Sequence, residues 1–240
     1  MANNALAELI DAYEAATTLR VVDVFRPGNE TGYVTPPDLY EPRRTPDGRG
    51  WEIPPRGNIL FWMDHATVGT NTLPYFAGIP GVQLAGSVRD GRDVCCPYLI
   101  PKDRTLYADG RVADTSRVVF KMTPANRACN HTGPCVPFTG VTPDNANTDG
   151  VEYENLQNGA DPFTEWQIVK GALIYVYSAV VNRIPDYRRV SHGVVAEPWG
   201  RRTDPFTRGM FPFSRSWAYV EAIRRDPRIW QFWKLPQPAR

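Results

Sequence analysis

The stretch FTEWQIVKGALIYVYSAVVNRIPD, residues 163–186, constrains the fold more than any other. Trp166, Val169, Leu173, Val176 and Val180 recur at spacings of three and four, the repeat of one helix face. Ile168, Ile174 and Tyr175 widen that face, so the spacing predicts a helix buried on most sides. Thr164, with Gln167 three residues on, has the pattern of a capping box, which satisfies free N–H groups of the first turn. Pro185 stops the helix. Such a helix needs a broad apolar surface to cover it, and the rest of the chain has to supply one.

Several short apolar segments read as strands. They are TLRVVDVF, NILFWMDH, CPYLIPKDRTLYADG (a strand, a turn and a second strand), TSRVVFKM and YRRVSHG. DGVEYENL alternates Val151 and Tyr153 against Glu152 and Glu154, a strand with one polar face. The tail FSRSWAYVEAIRRDPRIWQFW offers two short helices, the second opening at Asp226–Pro227. Strands around one dominant helix predict an α/β domain with a central sheet.

The 240 residues suffice for one sizeable core. A hydrophobic share of 42% and a charged share of 22% are those of a soluble globular protein. A net charge of +1 provides no basic groove for nucleic acid, and no apolar run has the length of a membrane span. The 23 prolines fall largely between periodic segments and predict long ordered loops. Residues 1–57 read as an N-terminal helix over 4–17 and a Pro/Gly/Arg-rich arm, packed on a main domain of 58–240. The first twenty residues lack the basic start and apolar core of a secretory signal.

No G-x-S-x-G, phosphate loop or dinucleotide fingerprint occurs. The three histidines are His65, His131 and His192. His65 ends a strand just before the small polar run ATVGTNT, and sites are commonly built on loops beyond strand ends. His192 is followed by a loop that leads to Asp204 in GRRTDP. A catalytic zinc takes three protein ligands from imidazole nitrogen and carboxylate oxygen and keeps one position open. His192 and Asp204 can supply two and His65 the third; the alternative is three unrelated polar residues.

Four segments, NILFWMDHAT, DGVEYENL, FTEWQIVKGALIYVYSAV and VSHGVVAEPWGRRTDPF, bear on that choice. In this order they resemble the motifs of zinc-dependent N-acetylmuramoyl-L-alanine amidases. That family includes phage lysozyme-type amidases, bacterial anhydromuropeptide amidases and peptidoglycan-recognition proteins. The resemblance covers about residues 58–215. It implies a central mixed β-sheet flanked by helices, in a single domain with long loops. It implies Zn2+ held by His65, His192 and Asp204, with Glu152 as the acid/base group. Glu154, two residues on, shares its strand face and competes for that role. Arg202 matches a basic residue before TDP and would support an oxyanion; the family often has Lys there. ACNHTG resembles a segment that would bring His131 to the substrate cleft. Tyr98 and Thr67 are the other expected substrate contacts, although Cys95–Cys96–Pro97 stands where some members carry a tyrosine beside the metal.

The implied reaction is hydrolysis of the amide between N-acetylmuramic acid and L-alanine in bacterial peptidoglycan. The rivals are a non-catalytic peptidoglycan-binding module on the same fold and a zinc endopeptidase. Peptidoglycan is the expected partner, without nucleic acid or membrane insertion, for a monomer. The setting implied is a phage endolysin catalytic domain, made in the host cytoplasm without a signal peptide and acting on the cell wall. Cys95, Cys96, Cys129 and Cys135 are expected as reduced thiols. CNHTGPC leaves a Cys129–Cys135 disulfide or a second zinc site open.

Overall fold

A computed structural model describes residues 20–23, 57–67, 69, 72, 96–102, 104–106, 112–114, 118–121, 131–205 and 211–233. The expected helix over 4–17 and the arm up to residue 56 lie outside them, as do Cys95 and Cys129. Strands β1 (Arg20–Asp23), β2 (Phe61–Ala66), β3 (Tyr98–Ile100), β6 (Val118–Lys121), β7 (Thr148–Tyr153) and β8 (Arg189–Ser191) form one sheet in the order β1-β6-β3-β7-β2-β8. Only the β3–β6 pair is antiparallel, so the sheet is mixed. β4 (Arg104–Leu106) and β5 (Val112–Asp114) pair separately as an antiparallel ribbon. The helices are α1 (Glu165–Asn182), α2 (His192–Val195), α3 (Phe213–Arg225) and α4 (Pro227–Trp233).

α1 forms where its spacing predicts. Thr164 Oγ1 accepts from the Gln167 N–H at 3.2 Å, and Gln167 Oε1 accepts from the Thr164 N–H at 3.0 Å. Gln167 is itself buried, and its Nε2 donates to the carbonyls of Ile100 and Glu154. The cap therefore also ties the helix to the ends of β3 and β7. Arg183 closes α1 in the left-handed conformation.

Strand alternation divides the sheet into two environments. Trp62, Val151, Tyr153 and Ile100 face α1 and share a core with Leu173, Val176, Val220 and Trp230. Inside that core Asp64 takes the guanidinium of Arg189 at 2.9 Å, with both side chains fully buried. Met63 faces the other way and packs with Cys135, Val190 and Val195. His65 and Glu152, one pleat from Asp64 and Val151, also belong to that second face, which α2 and the ordered loop 131–147 cover.

Gly171, in the middle of α1, admits the phenol of Tyr153. A Cβ there would lie 2.6 Å from Tyr153 Cζ. Tyr153 cannot easily retreat, because it is fully buried and its hydroxyl donates to Asp64 Oδ1. Gly171→Ala is therefore expected to destabilise the fold by about 1–3 kcal/mol through overpacking. That exceeds the roughly 1 kcal/mol that alanine contributes to a helix. Equilibrium urea unfolding checks this; an unchanged or higher midpoint refutes it.

Candidate metal centre

Three elements converge on the second face of the sheet. β2 carries His65 at its C-terminal end, directly opposite Glu152 of the parallel neighbour β7. β8 ends at Ser191, and His192 opens α2 immediately after it. The chain then loops out and returns, and the Gly193 N–H donates to the Asp204 carbonyl at 2.8 Å. Arg201, to which the sequence assigns no role, holds this loop down. Its Nε donates to Glu197 O at 2.7 Å, and its Nη2 donates to Pro134 O at 2.7 Å and Thr132 O at 3.3 Å.

The result is a buried triangle of ligand atoms. His65 Nδ1 lies 3.0 Å from His192 Nδ1, and Asp204 Oδ2 lies 3.4 Å from each. Ligands about 2.0–2.1 Å from a tetrahedral zinc stand about 3.3 Å from one another, so the spacing fits the ion. The donor chemistry fits as well. His192 Nε2 lies 2.7 Å from the Thr132 carbonyl, which can only accept, so Nε2 carries the proton and Nδ1 of the neutral ring offers a lone pair. That lone pair meets a second imidazole nitrogen and a carboxylate oxygen, an arrangement that calls for a cation at its centre. Among the described residues, these three form a group able to hold a metal ion.

Burial and the neighbouring His192 push His65 down to about 4, which keeps its ring neutral and ready to ligate at neutral pH. Burial opposes the charge of Asp204. Hydrogen bonds from His192 and His65 outweigh it and hold the carboxyl well below the usual carboxylate range. Without metal, such a bond needs a proton on an Nδ1 atom. A bound metal ion would take that proton's place, the usual linkage between metal binding and pH.

Glu152 stands beside the triangle, with Oε1 3.8 Å from His65 Nδ1. Its buried Oε2 has no hydrogen-bond partner, which is costly unless the atom has work to do. Burial and Asp204 push the carboxyl well above the usual carboxylate range, and Arg202 pulls the other way. Glu154 is committed elsewhere: its Oε2 accepts from Thr72 N–H at 3.3 Å and from Thr72 Oγ1 at 3.1 Å. Arg202 is exposed on the loop before Asp204.

The other expected contacts stand differently. Tyr98 lies on the helix side of the sheet, where its ring stacks on Trp62 at 6.2 Å, so β3 points it away from His65. The reason is register: Tyr98 pairs with Val151, one residue out of phase with Glu152. Thr67 closes the turn after β2, its Oγ1 donating to Gly69 O and its N–H to Tyr153 O. His131 is buried behind His65 rather than on an open wall, with its two ring nitrogens against His65 and the Thr148 carbonyl. Cys96 and Cys135 are buried, and Cys135 forms no disulfide. Thr132, Asn145 and Arg201 complete the surroundings of the triangle. None shows a periodic or spacing signal, since each acts through a loop backbone contact distant in sequence.

No family model matches the sequence, and no curated protein matches it at a significant level. Among solved structures, the chain is similar to AmiD from E. coli, an N-acetylmuramyl-L-alanine amidase in complex with anhydro-N-acetylmuramic acid-L-Ala-D-gamma-Glu-L-Lys. The identity is 20% and the TM-score 0.48, over 72% of this chain and 62% of that one, so the chain spans less than two thirds of AmiD's length. It is similar to AmpDH3 from Pseudomonas aeruginosa in complex with anhydromuramic pentapeptide, at 19% identity and TM-score 0.46 over 75% of this chain and 70% of that one. It is also similar to LysC from Clostridium intestinale, at 17% identity and TM-score 0.44 over 71% of this chain and 92% of that one. Of these solved structures that the chain is similar to, AmiD and LysC are N-acetylmuramoyl-L-alanine amidases.

Proposed function

We propose that the chain is a zinc hydrolase that cleaves the amide between N-acetylmuramic acid and L-alanine in bacterial peptidoglycan. The observation that carries the reading is the triangle of His65 Nδ1, His192 Nδ1 and Asp204 Oδ2 with the unpartnered Glu152 Oε2 beside it. Zinc, when bound by these three residues, supplies a Lewis acid that polarises a carbonyl and acidifies a water. The choice of substrate follows the motif resemblance of residues 58–215.

The chain's own residues divide the remaining work. Glu152 takes a proton from the attacking water at its free oxygen and returns it to the leaving nitrogen of L-alanine. Its raised pKa suits one carboxyl to both steps. Arg202 brings a fixed positive charge to the rim, where negative charge develops on the carbonyl oxygen. Arg201 keeps Asp204 in place by holding its loop. A complete ligand set and a free carboxylate favour a catalyst over a binding module, which needs neither. The same chemistry suits a lytic enzyme such as a phage endolysin domain. Among the described residues, no helix is long and apolar enough to cross a membrane.

Zinc content and mass spectrometry of digested cell wall test the reading together. About one zinc per chain is expected, with free stem peptides that begin at L-alanine and glycan stripped of peptide. A protein that takes up no zinc and releases no peptide overturns it. Stem peptides cut internally but still joined to muramic acid would instead identify an endopeptidase.

A further inference from the structure

His65 has two ring nitrogens, and only a deprotonated one can ligate a metal. Nδ1 faces His192 and Asp204, while Nε2 lies 3.0 Å from Nδ1 of His131. The other nitrogen of His131, Nε2, lies 3.2 Å from the Thr148 carbonyl oxygen. A carbonyl oxygen only accepts, so His131 Nε2 carries the proton of that ring. His131 Nδ1 is then an acceptor and receives the N–H of His65 Nε2. The lone pair of His65 is left on Nδ1, inside the triangle.

We infer that His131 is a positioning residue that sets the tautomer and ring orientation of His65 for metal binding, through a relay from the Thr148 carbonyl. The inference rests on the metal reading above and adds to it a residue that touches neither metal nor substrate. Metal-bound histidines commonly pass their second N–H to a carboxylate or a carbonyl. A neutral imidazole does the same without adding negative charge, so Asp204 remains the charged member of the ligand set.

The surroundings are built for this relay. Asn145 Oδ1 accepts from the His131 N–H at 3.1 Å, the Thr132 N–H at 3.0 Å and the Thr132 hydroxyl at 2.7 Å. The clamped segment serves both ligand histidines, because the Thr132 carbonyl takes the N–H of His192. Gly150 of β7 leaves room for the His131 ring. A Cβ there would run into the Met63 carbonyl and come within 3.3 Å of His131 Cε1.

Two measurements test the inference: imidazole nitrogen NMR of the zinc-loaded protein at neutral pH, and zinc affinity by chelator competition. In the wild type, His65 is expected to carry its proton on Nε2. His131→Ala is expected to weaken zinc binding about 10–100-fold. His131→Gln is expected to recover most of that loss, because its amide can accept from His65 and donate to Thr148. A His65 proton on Nδ1, or equal zinc affinity for wild type and His131→Ala, overturns the inference. If His131→Ala does not fold by circular dichroism, the wild-type tautomer decides alone. A wild type that binds no zinc fails the metal reading itself. One that binds zinc no tighter than folded His131→Ala fails the relay only.

Discussion

His192→Ala is expected to leave a folded protein without stoichiometric zinc and without detectable amide hydrolysis. Structural zinc sites of four protein ligands bind with about 10–16 kcal/mol, so one ligand is worth roughly 3 kcal/mol. A loss of that size lowers affinity by more than about a hundredfold. The variant also leaves the Thr132 carbonyl without the imidazole N–H that it accepts, although Arg201 Nη2 still reaches it at 3.3 Å. His192 is on the second face of the sheet, away from the core built around Trp62 and α1. The near-ultraviolet circular dichroism of that core should therefore survive. Metal analysis after gentle purification is the check. Zinc at wild-type stoichiometry in His192→Ala would remove His192 from the ligand set.

Glu152→Gln is expected to keep its zinc and to lose a factor on the order of 10²–10⁴ in turnover, the usual worth of a positioned acid/base group. The substitution preserves shape and removes only the ability to carry a proton, so a loss in kcat with zinc content unchanged isolates that role. Glu154→Gln is the matching control. Glu154 spends its Oε2 on Thr72, 82 residues away in the chain, and thereby holds the loop beyond β2. Its glutamine variant should be less stable and only mildly slower. If Glu154→Gln loses more activity than Glu152→Gln, the assignment of the two carboxylates is reversed.

These two residues also show where the sequence stops. Alternation along DGVEYENL places Glu152 and Glu154 on one face, and the structure keeps them there. What separates them is a partner from another segment: Thr72 reaches Glu154, while His65 and Asp204 flank Glu152. Tyr98 shows the limit from the other direction. Its place in the chain beside Cys95–Cys96–Pro97 suggests the metal, yet pairing with Val151 turns it to the helix face and onto Trp62. A register shift of one residue would reverse that, and register is set by the neighbouring strand. His131 stands in a loop whose course depends on Asn145, fourteen residues on.

The sequence by itself determined what depends on near neighbours. These are the capped helix Glu165–Asn182, the strands around it, and three residues able to ligate zinc, ordered as in a known motif series. Helical spacing, strand alternation and capping act over a few residues, so they are written locally. Only the tertiary structure decided that His65 and His192, 127 residues apart, turn Nδ1 toward each other. It also decided that Glu152 Oε2 has no partner among the described residues, that His131 stands behind His65, and that Arg201 holds the Asp204 loop. Each of these depends on a contact between distant segments, and such a contact exists only once the sheet has brought the ends of β2, β7 and β8 together.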